Sequence, residues 1–444
     1  MAAAHRLQRA GADVILLEKQ ERLGGIVETI IDDGFVIEGG PDSFVTAKGS
    51  VLQLATELGL EDEVIASNPE SQGSYVWWDG RLHPLPGGLL LMVPSRLGPF
   101  LGSSLLSWRG KIRALKDLAL PRSGAIGDES LGSFVRRRLG EEVLERIAEP
   151  LVAGIHAADP ETMSLQASFP RFLDMEAEHR SLILAARRLG ARRGSEGVGS
   201  HFSSFRLGMG QLVQALVSAL HTVDVRTGAA VAGLETTSDG YVVSLTEGTR
   251  ISTTAVVLAV PAPVASRLLQ PVSDEAAGHI AGIDQVTNQA VTLAFRTDQL
   301  PPISGSGFVV PSGRGRPRIR GVSYLSRKWA GRVPDDGFAL LRVFSPAGTV
   351  EDAPVETARA EISATIGVVA EPVRSWVRTH RQGLHRYTLG HPERIAKAER
   401  ALEASPGIAL AGAGFYGVGL NECIASGWAA ADSVLEYSGS VVGA

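Results

Sequence analysis

Residues 1–25 read MAAAHRLQRAGADVILLEKQERLGG, and this stretch decides the fold. Residues 2–10 carry alanine, leucine and arginine at helical spacing, which predicts a helix. Gly11 follows as the residue beyond a helix end. Val14 to Leu17 form a short apolar run of strand type, and the run ends on an acid, Glu18. Helix, glycine, buried strand and acid make the second half of a βαβ nucleotide-binding unit, whose first half is a strand and a glycine-rich turn. In such units the acid that binds the ribose hydroxyls lies about 20 residues after the glycine fingerprint. Counting back from Glu18 puts the fingerprint at or just before Met1. The expectation is therefore a natural chain with about fifteen more residues, one strand and its turn, ahead of Met1. A start codon assigned too late, a truncated homologue and a deliberate fragment are the competing accounts.

Working outward, Gly24 and Gly25 let backbone amides approach an anion closely. The far end repeats the theme in GAGFYGVGLNECI, residues 412–424, where glycines 412, 414, 417 and 419 separate a buried strand from a helix starting near Leu420. A helix N-terminus offers free N–H groups and the positive end of a dipole. A third piece spans about 200–266, with a glycine turn into the helix GMGQLVQALVSAL and alternating strands after it. One dinucleotide domain interrupted by insertions accounts for all three.

At 444 residues the chain exceeds one core, so two or three domains are expected. A net charge of −5 argues against nucleic acid as a partner. The single cysteine, Cys423, excludes an internal disulfide and a cysteine-ligated metal site, and suits a reducing cytosol. No Ser-His-Asp, HExxH or Cys-His constellation is visible, and no metal site is expected. Asp33-Gly34 and Asp79-Gly80 mark hairpins, Ser130 is a candidate N-cap, and residues about 103–190 read as helical. The basic, Gly/Ser-rich stretch at 187–200 reads as a loop. The longest apolar stretch, residues 85–108, is broken by Arg96, Pro86, Pro94 and Pro99, so it makes a poor spanning helix. Two readings stay open for it: an irregular buried segment, or a surface dipping into a membrane face beside the basic helix RGKIRALKDLAL.

LLEKQERLGGIVETIIDDGFVIEGGPDSF, EPLVAGIHAADPETMSLQASFPRF, EHRSLILAARR and LAGAGFYGVGLNECIASGWAAA together resemble the porphyrinogen oxidases of haem synthesis, within the flavin amine oxidase superfamily. GSYVWWDGRLHPLPGG and FPRFLDMEAEHRSLIL are more similar to the bacterial coproporphyrinogen-oxidising members than to the protoporphyrinogen enzymes of plants and animals. The resemblance implies an α/β fold: an interrupted Rossmann-type FAD-binding domain (1–72, 200–266 and 402–444), an α/β substrate domain (73–84 and 267–401) and a helical insertion (85–199). It implies FAD as cofactor. Glu18 would bind ribose, and Arg22, Gly24 and Gly25 would line the phosphates and ring. Gly40, Pro41, Asp42 and Ser43 would lie near the isoalloxazine. The Val231 backbone would hold adenine, with Gly412, Gly417, Val418 and Gly419 at the far phosphate and pyrimidine end. Ile155 would face the macrocycle, and Lys48, Arg171 and Arg180 are the candidate cations for substrate propionates.

The implied partners are a porphyrinogen and oxygen, with peripheral membrane contact and downstream haem-pathway enzymes as further expectations, in a cytoplasmic protein. The sequence departs from the family at Ser74, near which the plant-type enzymes carry a propionate-binding arginine, and at His156, where many relatives have tyrosine. Without the first strand, the resemblance implies weak FAD retention. The alternatives are a flavin-dependent amine oxidase, for which no lysine can be placed near the ring, and a flavin-less homologue that does no catalysis.

Overall fold

The expected helix and strand form as α1 (Ala2–Arg9) and β1 (Ile15–Leu17), and Gly11 between them takes φ +81°. The computed structural model describes residues 1–71, 73–123, 127–156, 158–195, 202–313 and 315–442, the side chains of 155, 156, 192–195 and 439–442 excepted. β1 pairs in parallel with β2 (Asp224–Arg226), Ile15 opposite Asp224. β3 (Val256–Leu258) pairs in parallel with β4 (Ile408–Leu410). Segments roughly two hundred residues apart thus supply one parallel layer, the interrupted arrangement expected. Among the described residues the layer is two separate pairs, and no strand joins the second edge of β1 or of β4. Ile15 is accordingly 40% exposed, where strands inside a doubly wound sheet are covered.

Helix α1 bridges the pairs, with Ala4 beside Leu16 and Val225, and Leu7 beside Ala409. The long C-terminal helix α2 (Leu420–Val442) crosses α1 closely at Gly427, where a Cβ would stand 3.3 Å from the Ala3 nitrogen. Arg6 clamps Asp432 of α2 through bonds of 2.5 and 2.9 Å.

A seven-stranded sheet forms the second layer, in the order 374–386, 284–296, 338–344, 321–324, 307–309, 75–78, 81–84. The early hairpin Tyr75–Pro84 joins strands more than two hundred residues later, Tyr75 lying opposite Phe308. Asp79 and Gly80 turn that hairpin at φ +51° and +79°, as the Asp-Gly pair predicts. One face of the sheet packs Leu293, Phe295 and Leu341 against Ile362 of helix Pro354–Ile366. Residues of alternate parity, Ala294 and Leu340, pack on Phe35 and Ile37 of the hairpin Thr29–Glu38. That contact sets the sheet directly against the glycine loops following β1.

The helical insertion has its own core around Phe100, Phe134, Ile147 and Phe172. Ser130 caps its helix as predicted, accepting from Ser133 N at 3.1 Å. Two expectations are revised. Residues 187–195 continue the helix Leu182–Ser195, because Leu182, Ile183, Ala185, Ala186 and Leu189 keep an apolar stripe; residues 196–200 lie outside the described residues. The helix Ala262–Leu269 runs through the expected boundary at 266. With helices Asp274–Ala281 and His391–Leu402 it shares a core with Leu234, Leu245 and Leu258, because its apolar face is matched there.

Candidate functional site

Glu18 ends β1 with both backbone groups engaged: its N–H donates to Arg226 O at 2.9 Å, and its carbonyl accepts from Ala229 N at 2.9 Å. Its carboxylate accepts from Gln20 N at 2.9 Å. Burial lowers the pKa of the Met1 amine at the head of α1, against the pull of Glu18. Val231 opens the next strand and shares a cluster with Leu17, the last residue of β1.

Beyond Glu18 the chain makes two glycine loops in contact. Arg22 is folded onto its own loop, donating to Gly25 O at 2.5 Å and to the Leu23 and Val27 carbonyls at 3.3 Å. A Cβ on Gly40 would lie 1.9 Å from Ile26 O, so only glycine allows the second loop, residues 39–43, to meet the first. Gly24 is packed against Val213, whereas Gly25, at φ +58°, faces open space.

The seven-stranded sheet holds the second loop from behind. Arg342 donates to Gly40 O at 2.6 Å and to Gly39 O at 3.3 Å, and His380 Nε2 stands 2.7 Å from Gly39 O. Lys328 Nζ lies 3.0 Å from Asp42, whose carboxylate also accepts from Ser43 Oγ at 2.7 Å. Burial works against charge on Asp42, yet Lys328, Ser43 and Arg342 together hold its carboxyl well below the ordinary range. Sequence reasoning passed over Lys328 and Arg342. It placed no lysine near this loop, and the one the fold brings there is neutralised by Asp42.

The C-terminal turn completes the ring of contacts. Gly412, at φ +98°, faces open space, and its N–H donates to Ser426 Oγ at 3.0 Å. Gly417 lies under the Cβ and Cγ of Glu422 with no room for a Cβ, and Gly419 lies under the Glu422 carboxylate. Asn421 donates to Val45 O and accepts from Val51 N, both at 3.0 Å, which ties the head of α2 to the segment following Ser43. Tyr387 spans the turn, donating to Ala413 O at 2.8 Å and accepting from Gly417 N at 2.6 Å. His391 stacks on Tyr387 at 3.9 Å and donates from Nε2 to Phe415 O at 3.0 Å. Burial pushes the pKa of His391, and of His385 packed beside Gly414, down to about 4, so both are neutral.

Backbone at Gly25 and Gly412 is left open to approach, the head of α2 is tied to the segment after Ser43, and Glu18 closes β1. Amide donors and a dipole at helix ends suit phosphates, and a carboxylate suits ribose hydroxyls, so the donor set fits a flavin dinucleotide.

The cations expected for substrate are mostly engaged. Lys48 pairs with Glu422. Arg180, at φ +65°, donates to Leu118 O at 2.9 Å. Arg171 is exposed on the first turn of helix Pro170–His179. Ile155 belongs to helix Glu149–His156, but its side chain and that of His156 lie outside the described residues. Ser74 Oγ shares a 3.0 Å hydrogen bond with Ser306 Oγ.

The sequence profile of the flavin containing amine oxidoreductases matches residues 1–435. The chain belongs to that family. Within it, the chain is 32% identical to the coproporphyrinogen III oxidase of Bacillus subtilis (strain 168), covering 96% of this chain and 92% of that one. It is 34% identical to the coproporphyrinogen III oxidase of Propionibacterium freudenreichii, over 98% and 89%. Against the human protoporphyrinogen oxidase the identity is 33%, over 98% and 96%. A crystal structure from Exiguobacterium sp. superposes with a TM-score of 0.85 at 30% identity, over 98% and 96% of the two chains. A flavin cofactor and an α/β flavoprotein fold follow from family membership.

Proposed function

We propose that the protein oxidises coproporphyrinogen III to coproporphyrin III with FAD, in haem biosynthesis, and accepts protoporphyrinogen IX as a second substrate. The observation that carries this reading is near-full-length similarity to coproporphyrinogen III oxidases, and the open backbone at Gly25 and Gly412 is in keeping with it. Porphyrinogen-to-porphyrin oxidation removes six electrons and six hydrogens. Bound FAD would supply the two-electron acceptor chemistry, three times per product, with oxygen as the final oxidant and hydrogen peroxide formed.

The chain's own task is placement. Backbone at Gly25 and Gly412, which faces open space, would let the flavin approach closely, and Gly40 lets its loop seat against the first. Arg342 and Lys328 fix the loop beside it from the sheet. No protein base is required, because pyrrole nitrogens can release their own protons once hydride leaves the adjacent carbon. Apolar walls would be expected to exclude water and orient the macrocycle.

The reading extends to a cytoplasmic enzyme touching a membrane face. Among the described residues no helix is long and apolar enough to cross a membrane. Trp108 and Ile112, one turn apart on helix Trp108–Leu115, are 67% and 59% exposed beside the exposed Arg109 and Lys116, which suits an anionic interface. Purified protein loaded with FAD and given coproporphyrinogen III should show porphyrin fluorescence rising with oxygen consumed. No rise, with turnover of an amine instead, would overturn the reading. Flotation with anionic vesicles, lost in Trp108→Ser, tests the membrane contact.

A further inference from the structure

With Lys48 and Arg180 committed elsewhere, the question is which cations remain for substrate carboxylates. Helix Glu149–His156 meets the sheet where a Cβ on Gly154 would stand 3.2 Å from Val309 Cγ1 and 3.7 Å from Arg320 O. Arg320 is anchored there by its backbone, donating to Phe344 O at 2.8 Å and accepting from Val310 N at 2.9 Å. Its side chain is half-buried, and among the described residues its guanidinium has no hydrogen bond and no ion pair. Burial lowers its pKa, and the one charge acting on it is Glu149, which lies beyond ion-pair reach. The Glu149 carboxylate already accepts from Ser312 N at 3.1 and 3.2 Å.

A second guanidinium stands by. Arg316 stacks over Trp78 at 4.2 Å, and it too has no hydrogen bond or ion pair among the described residues. Arg146 also lies over Trp78, at 4.6 Å, but it is engaged by Leu105 O and Glu142. The junction of insertion and sheet is therefore cationic in excess, next to apolar Val309 and Trp78.

A guanidinium carries five N–H donors in a fixed fork. Half-buried without acceptors, it forgoes hydration and receives nothing in exchange. The acceptor that matches its fork is a carboxylate, held in a bidentate pair. We propose that Arg320, with Arg316 four residues before it in the chain, is the recognition site for a substrate carboxylate. The identity of that carboxylate as a macrocycle propionate rests on the function proposed above. An apolar macrocycle edge would lie along Val309 and Gly154, with its acid at the Arg320 fork.

The test is a fluorescence titration of the FAD-loaded protein with coproporphyrin III and, in the same detergent, its tetramethyl ester. Wild type is expected to bind the acid more tightly than the ester. Arg320→Gln should weaken acid binding by about tenfold or more, leave ester binding within about twofold, and leave flavin absorbance unchanged. Arg320→Lys, which keeps the charge and loses the fork, should fall between them, and it reads the same difference if the glutamine variant misfolds. Equal losses for acid and ester, or no loss for either, overturn the assignment of Arg320. Failure of wild type to bind either ligand overturns the porphyrinogen reading itself, and this proposal with it.

Discussion

Tyr387→Phe removes one oxygen atom and leaves the ring. Tyr387 is 5% exposed, and its stack on His391 at 3.9 Å survives the change, so no cavity opens. Two hydrogen bonds disappear, at 2.8 Å to Ala413 O and 2.6 Å to Gly417 N. Each is worth about 0.5–1.5 kcal/mol net, which puts the loss at roughly 1–3 kcal/mol. Both partners belong to the turn that carries Gly412 and Gly417. The energy that holds this turn ready for the cofactor must then be recovered at binding, which weakens FAD by about tenfold or more. The assay is titration of apoprotein by flavin fluorescence quenching, with thermal melts of apo and loaded protein alongside. Tyr416→Phe is the control, because the Tyr416 hydroxyl points away to Glu399, at 2.6 Å. A Tyr387→Phe protein with a lowered melting point and unchanged FAD affinity would refute the reasoning, since the hydroxyl would then serve only the fold.

Further outcomes follow from the same geometry. Asp42→Asn leaves the Lys328 ammonium without its counter-charge and should cost about 3 kcal/mol by chemical denaturation, while Asp42→Asn with Lys328→Met should recover part of that; a double variant worse than the single would contradict it. His385 and His391 are neutral in the fold, with pKa values of about 4 against an ordinary 6.5. Unfolded chains bind those protons first, so stability should fall as pH drops from about 6.5 to about 4, by up to roughly 3 kcal/mol for each ring. Thermal melts that are flat across this window would be inconsistent with burial of the two rings.

Local chemistry made much of the molecule legible in one dimension. Asp33-Gly34 and Asp79-Gly80 turn hairpins because their positive φ values suit those residues, whatever packs around them. Ser130 caps its helix through an oxygen three residues from its donor. Glu18 and the glycine segments could be singled out because a nucleotide-binding unit admits few residue types at a strand end and in a tight turn. Charge pairing is different, since it depends on distance in space. Lys48 reads as a free lysine until the fold brings Glu422 to it across 374 positions. Asp42 and Lys328 are 286 positions apart, and Arg342 reaches the Gly40 carbonyl across 302. Arg320 draws no attention in the sequence, and its burial becomes apparent only in the fold. Turn and cap energies are set within a few residues, so sequence alone determined them. Which ions are neutralised, and which are left to hold a ligand, was decided only when the layers closed on one another.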